Sequence, residues 1–550
     1  MINKICDLLF TSKKFFYFFV FLLLCINLSI IVNGFAHKNQ YHIDEQWSYA
    51  HSNSNGKPYI ANPNMYYEWF DSKVYHNYLT VQKSDGFNYS HIYENLKLDM
   101  HTPLYFMALY TISYLFPDTF NPWLGGVLNI FLWLITLFVM YRLSQKFFKN
   151  KWLVLAPVIL YAFSIIGIST VSYIRVYLMQ TLFATCLINE MLEYTLKEKN
   201  NCKVTLLKIF IFSLLGMLTS YNSLILSFVL SVVFGIYMLY TKDYAKIFYL
   251  ALAMIGSVIF FIYIFPYAYI ALVRFSPQQY NSHKDLFEIF RGFLTIYFTE
   301  LFSIHIDMYS NRIYTYIAVV IFMWLIAIYV YSVNFVLSKK TILLLIVYSV
   351  ISIYLFYAMP EMGVFGNRYT MFLYPTMSIL SIYMIYKIVS VFFSDHKSVV
   401  FIYIVILLNT LNINYQTQSP YLKRLDDKEV EIINNLKNKN LMAVSELNWD
   451  LEGGSFVYMN AHQIYFFPKK IYDYFVDGHD DKSPSDDDYE KIDKICRDIA
   501  KADYLMIINN FPEPSQSKLC DNVIRFKFVR NIKFLTVHFD VYEIIPVNTN

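Results

Sequence analysis

Two adjacent carboxylates, Asp44 and Glu45, stand in Tyr41-His42-Ile43-Asp44-Glu45-Gln46-Trp47-Ser48-Tyr49, just after the first long apolar segment. Only 16% of the 550 residues are charged, so an acidic pair at that position is the first place to look for proton chemistry. A carboxylate is the right group to take a proton from an attacking hydroxyl. Further clusters follow at Leu98-Asp99-Met100-His101-Thr102-Pro103-Leu104-Tyr105-Phe106, at Gly366-Asn367-Arg368-Tyr369 with Tyr374-Pro375, and more faintly at Ser172-Tyr173-Ile174-Arg175-Val176-Tyr177. The guanidinium groups of Arg368, Arg175 and Arg274 are suited to phosphate, because each can pair with two of its oxygens at once. His101 adds a hydrogen-bond donor.

Each cluster also has a plainer reading. Asp44-Glu45 fits a solvated loop, His101-Thr102-Pro103 fits a helix start with proline in its first turn, and the arginines fit interfacial anchors. A divalent cation held by His42, Asp44, Glu45 and His101 is an alternative, although no His-x-x-x-His spacing ties them together. No metal site or cofactor is assigned. The phosphate-cradling glycine loop of nucleotide enzymes is absent.

The elements that must position these groups are membrane helices. The chain is 57% hydrophobic with a mean hydropathy of +0.38, and apolar stretches of about 20 residues recur, each long enough to span a bilayer. A lipid-embedded backbone must satisfy its own hydrogen bonds, which favours helices. The net charge of +4 says little here, because the distribution of Lys and Arg matters more than their sum. Nothing points to nucleic acid.

The segment from Phe15 to Val32 follows Lys4, Lys13 and Lys14 and lacks a small-x-small cleavage site, so it is expected to be an uncleaved first span with the amino terminus in the cytoplasm. A polar loop over 36–102 then lies outside. Leu104 to Phe116 is too short to cross and is expected at the interface. Spans are predicted at 123–141, 152–171, 176–194, 205–220, 222–240, 246–266, 313–336, 341–359, 370–390 and 398–413, about 11 crossings with the first. This topology keeps Arg142, Lys146, Lys149, Lys151, Lys197, Lys199, Lys203, Lys208, Lys242, Lys246, Lys339, Lys340, Lys387 and Lys397 inside. Between Pro266 and Arg312 a second outer loop carries Arg274 and an interfacial stretch, Leu286 to Phe302.

The predicted fold class is thus mainly α, a polytopic helix bundle over 1–413 followed by an exoplasmic α/β domain over 414–550. In that domain Glu429 to Leu436 reads as a helix, Leu441 to Val444 and Tyr504 to Ile508 as strands, and Val523 to Arg530 with Phe534 to Ile545 as a hairpin. Asp477 to Asp488 reads as a solvated loop. Cys496 and Cys520 fall in the same region, where a disulfide is open to them if it lies outside.

At this point the chain resembles the GT-C superfamily of polyprenyl-phosphate-sugar-dependent glycosyltransferases, in the branch of protein O-mannosyltransferases and lipid A aminoarabinose transferases. The landmarks are Asp44-Glu45, His101-Thr102-Pro103-Leu104-Tyr105, Arg175-Val176-Tyr177, and Arg368-Tyr369 leading to Pro375, in the family's order and on one predicted membrane face. Two departures stand out. The family's His-Pro-Pro is His101-Thr102-Pro103 here, and the acid that often precedes Arg-x-Tyr by two places is replaced by Tyr173, which leaves Asp44, Glu45 or Asp99 to supply the charge. The resemblance implies an inverting transfer with Asp44 and Glu45 as the catalytic acids, Asp44 as base and Glu45 orienting it or binding sugar hydroxyls, and it implies donor contacts from His101, Tyr105, Arg175, Tyr177, Arg274, Arg368 and Tyr369. The expected partners are a polyprenyl-phosphate sugar and a glycan, lipid or protein acceptor, in the plasma or inner membrane. A flippase of lipid-linked sugars and a glycan polymerase are the alternatives; the first is disfavoured because the notable charges cluster at one face rather than at mid-membrane.

Overall fold

The computed structural model describes residues 12–546 apart from 56–59, 61–64, 98, 100, 197–201, 271–298, 304–337, 359–365, 414–418, 423, 446–453, 473–484, 509–523 and 534–537. The chain forms two compact units. One comprises Met1–Ala36, Lys97–Tyr105 and Gly126–Ser419, and the other His37–Leu96, Phe106–Gly125 and Pro420–Asn550.

The first unit is helical. Among the described residues five helices are long and apolar enough to cross a membrane: Lys13–Ala36, Pro122–Ser144, Tyr221–Tyr240, Tyr244–Ile264 and the Arg368–Phe392 stretch. A sixth is broken. The segment predicted as one span at 152–171 is two helices, Lys151–Ala162 and Ile165–Ser172, bent by 61°. The cause is local: Ser164 caps the second helix by accepting from Gly167 N, and a Cβ on Gly167 would meet the Tyr161 carbonyl oxygen at 2.0 Å. The break frees the Ala162 carbonyl, which accepts from Asn27 Nδ2 at 2.7 Å, while Trp133 Nε1 donates to Asn27 Oδ1 at 2.8 Å. Such a buried amide ties three helices together, each bond adding modestly to their packing.

Further helices run over Tyr177–Leu196, Cys202–Met217, Lys339–Ala358 and Asp395–Leu411. The predicted span at 313–336 and the loop segment with Arg274 lie outside the described residues. Large apolar side chains such as Phe131, Phe228, Phe260 and Leu408 stand exposed along these helices, the pattern expected when the surrounding solvent is hydrocarbon. Tyr240 and Tyr244 flank the turn between two spans, where Lys242 has φ 62°. Tyrosine is at home at such a membrane–water boundary.

The second unit contains one six-stranded mixed sheet: β1 Trp69–Asp71, β2 Asn440–Ser445, β3 Gln463–Pro468, β4 Tyr504–Ile508, β5 Ile524–Lys533 and β6 His538–Pro546, in the order β1-β3-β2-β4-β6-β5. β2 is parallel to both β3 and β4 and nearly all buried, as a central parallel strand should be. β5 and β6 form the antiparallel hairpin. The core includes Met442, Val444, Tyr465, Ile495, Leu505 and Tyr542. The Asp486–Ile499 helix starts inside the stretch read as an acidic loop, because Ser485 and Asp488 make a capping box that satisfies the first free amides. Cys496 on that helix is disulfide-bonded; Cys520 lies outside the described residues.

β1 comes from the first loop. It pairs antiparallel with β3, Trp69 opposite Tyr465 and Phe70 opposite Ile464, and covers an edge that would otherwise be open to stray pairing.

Candidate functional site

In the second unit Asp44 and Glu45 open the helix Ile43–Asn53. His42 is its N-cap: Nδ1 accepts from Asp44 N at 3.1 Å, and Glu45 Oε2 accepts from His42 N at 2.9 Å. This is a capping box built with histidine. Because Nδ1 is occupied as an acceptor, the proton of a neutral His42 sits on Nε2, and the 3.6 Å approach of Asp44 Oδ2 to Nδ1 is proximity rather than a bond. Glu45 is engaged further: its Oε1 lies 2.9 Å from Lys38 Nζ, with both side chains fully buried, and Lys38 also donates to the Tyr421 carbonyl at 2.8 Å. Buried charges survive only when paired in this way.

Asp44 sits beside it in a less closed setting, its side chain 10% exposed. The helix N-terminus favours negative charge on both acids. Burial pushes the Tyr41 phenol well above its ordinary range, with Tyr49 and Glu45 adding to the effect, so Tyr41 stays neutral. Its ring packs on Phe120 and Phe456.

The helix carrying the acids is held along its length. Gln46 Oε1 accepts from Phe456 N at 2.9 Å, Tyr49 donates to the Asn121 carbonyl at 2.8 Å, and Asn95 Nδ2 donates to the carbonyls of His51 and Ser54 at the far end. A carboxylate on such a support has little freedom to drift, which is what a positioned base requires.

In the first unit the sequence clusters at 99–105 and 173–177 come together. Asp99 Oδ1 bonds His101 Nδ1, and His101 Nε2 lies 3.0 Å from Arg175 Nη2. A guanidinium can only donate, so His101 Nε2 accepts and Nδ1 holds the proton that goes to Asp99. The result is a chain from carboxylate through neutral imidazole to a cation. Arg175 is 2% exposed. It lies in the break between Ile165–Ser172 and Tyr177–Leu196, where Asn129 Nδ2 donates to the carbonyls of Val171 and Tyr173 and Arg175 N donates to Tyr173 O at 2.8 Å.

Aromatic rings continue the cluster. Tyr173 stacks on Tyr177 at 5.5 Å, Tyr177 meets Tyr369 edge-on at 6.2 Å, and Arg368 lies 5.0 Å over the Tyr369 ring while donating to its hydroxyl. Tyr105 is fully buried; Leu104 N, at the start of its helix, is fixed by the Leu218 carbonyl. A run of contacts through Tyr173, Tyr177 and Tyr369 therefore links the Arg175 backbone to Arg368, and such a set of guanidinium and hydroxyl groups suits an anionic oxygen-rich ligand. Arg274 is outside the described residues.

Two partners went unassigned from sequence. Asp99 stood only as an alternative source of negative charge beside Asp44 and Glu45, though its Asp-x-His spacing signals that it can meet His101. Lys38 had a weaker one, a lysine at the foot of a span in a charge-poor loop. Among the described residues no three His, Cys, Asp or Glu side chains converge on a cation site.

No family model matches the chain, and no curated protein matches it. Solved structures do. ArnT from Cupriavidus metallidurans in the apo state aligns with a TM-score of 0.52 at 10% identity, covering 95% of this chain and 97% of that one. The same protein bound to undecaprenyl phosphate aligns at 0.51 and 11%, with the same coverage. At this identity the likeness is one of fold, and it bears out the GT-C resemblance at that level.

Proposed function

We propose that this chain is an integral membrane glycosyltransferase that moves a sugar from a polyprenyl-phosphate donor to an envelope glycan, lipid or protein. The observation that carries the reading is the Asp99–His101–Arg175 chain in a protein whose fold resembles ArnT along almost its whole length. One of those ArnT structures holds undecaprenyl phosphate, and a buried arginine aligned by a neutral histidine suits the same kind of headgroup. Following the charge pattern of the sequence, about 11 spans put the amino terminus in the cytoplasm, and the acids, the arginines and residues 414–550 outside.

In this reading Asp44 accepts the proton of the acceptor hydroxyl as that oxygen attacks the anomeric carbon. The bond from that carbon to the phosphate oxygen breaks in the same displacement, inverting the centre. Arg175, Arg368 and Arg274 stabilise the negative charge that builds on the departing phosphate, with hydrogen bonds from Tyr177 and Tyr369. Glu45 maintains the local fold through Lys38 and the His42 cap. His101 and Asp99 fix the Arg175 guanidinium.

The test is transfer of labelled sugar from a synthetic polyprenyl-phosphate donor in membranes holding equal amounts of wild type and Asp44→Asn. Loss of transfer in the variant supports the assignment, and unchanged transfer removes Asp44 from the role of base.

A further inference from the structure

The second unit contains a cavity of about 310 Å³, at the lower end of the range for small-ligand pockets. Its lining includes Asn53, Asp85, Phe87, Asn88, His91 and Tyr110. Asn53 is buried and its Nδ2 donates to the Leu79 carbonyl at 2.8 Å, which fixes the amide orientation. Its Oδ1 is then left buried with no partner among the described residues. That oxygen has essentially no accessible surface, so Asn53 shapes the floor of the cavity from behind its lining.

The remaining groups have one chemical character. Asp85 Oδ2 accepts from Gln82 N, leaving Oδ1 without a partner among the described residues. His91 Nε2 donates to the Ser52 carbonyl at 2.8 Å, so Nδ1 of the neutral ring is an acceptor. One wall is aromatic: Phe87, half exposed, stacks against Tyr110 at 5.5 Å, and His91 meets Tyr110 edge-on at 4.7 Å. The lining has acceptors and a ring face and no Lys or Arg, so it suits a neutral molecule with several hydroxyl donors and an apolar C–H face, not an anion.

We propose that this cavity binds a pyranose ring, with the half-exposed Phe87 against its C–H face and the Asp85 carboxylate accepting from its hydroxyls. Asn53 lies on the same helix as Asp44, nine residues on, which is about 14 Å along the axis at 1.5 Å per residue. That separation makes it a subsite distinct from the acid pair, suited to a more distant sugar of an acceptor glycan. The role as acceptor subsite rests on the glycosyltransferase reading; the binding of a sugar does not.

The experiment uses the full-length protein in nanodiscs and ligand-detected NMR with methyl glycosides of mannose, glucose, galactose and N-acetylglucosamine. At least one glycoside binds wild type, and Phe87→Ala and Asp85→Ala each weaken it about tenfold, as expected for loss of one desolvated contact, while Lys83→Ala binds as wild type. Phe87 is half exposed, so its variant should fold; an unchanged melting temperature verifies this. If no glycoside binds, or if Phe87→Ala binds as tightly as wild type, the cavity is not a sugar site. In transfer assays Phe87→Ala raises the acceptor KM with kcat unchanged. Sugar binding without any transfer would overturn the enzymatic reading alone, and transfer with unaltered acceptor KM and no glycoside binding would overturn this one alone.

Discussion

The two acidic centres of the molecule use the same chemistry in opposite ways. Around Glu45, a carboxylate is matched to a lysine in a fully enclosed pair and also accepts from the backbone at a helix start. Around Asp99, a carboxylate bonds one nitrogen of a histidine whose other nitrogen bonds Arg175. The first arrangement quenches charge where it stands. The second passes orientation from the carboxylate through the imidazole to the Arg175 guanidinium. The adjacent acids Asp44 and Glu45 are thus set apart: Glu45 is engaged by Lys38 and by the His42 backbone, and the proposed reaction gives the base role to Asp44.

The sharpest way to break this division is to remove each acid in turn. Asp44→Asn should lower transfer by about 10²–10⁴-fold, the usual contribution of a general base, with the melting temperature unchanged. Glu45→Gln should lower the melting temperature as well. Equal activity losses with equal stability losses would show that the two acids act as one unit.

In the other centre Arg175→Lys keeps the charge but not the planar fork, and kcat should fall by about 10²-fold, as when one electrostatic donor is lost. His101→Gln should cost less, because the guanidinium remains and only its alignment suffers. If the His101 variant falls further than the Arg175 variant, the histidine contacts substrate itself. Both are read by labelled-sugar transfer at saturating donor.

Lys38→Met leaves Glu45 as an unpaired buried charge and should destabilise the second unit by about 3–5 kcal/mol. Adding Glu45→Gln to it should restore part of that loss, a coupling expected of groups in contact. Thermal unfolding measures both, and additive losses would mean that the pair is not the interaction that matters.

The smallest effect is away from both centres. Asp488 is held down to about 2, first by the hydrogen bond from Lys470 and then by that from Ser485. Its folded pKa is depressed, so its stabilising contribution is present above the ordinary carboxylate range and disappears as pH falls toward about 2. Lys470→Ala should therefore reduce stability modestly at neutral pH and flatten its acid dependence, as measured by melting temperature against pH.

The sequence was most informative where chemistry requires a residue type within a short span. His101 and Arg175 were named from motifs and prove to be in hydrogen-bond contact; the central strand Tyr504–Ile508 was read from its apolar run and appears over the same residues. It was least informative where the partner is distant in the chain or the element is short. The three residues of β1 carry too little pattern to announce a strand, and their pairing with β3 joins positions almost four hundred residues apart. The broken span depended on one serine cap and one glycine contact, both overshadowed by a continuous apolar run. Lys38 gave no periodic signal, since its role depends on where Glu45 and the Tyr421 carbonyl come to rest.

By itself, the sequence determined the class of environment and the inventory of reactive groups, because hydropathy and residue type are local properties. Apolar runs of about 20 residues specify a bilayer, and acids and arginines at their ends specify what charges are on hand. Only the tertiary structure decided which acid is spent on folding, which cation aligns with which histidine, and which loop completes the sheet. These outcomes depend on burial and on angstrom-scale distance, and the energy of a charge or hydrogen bond changes several-fold with both.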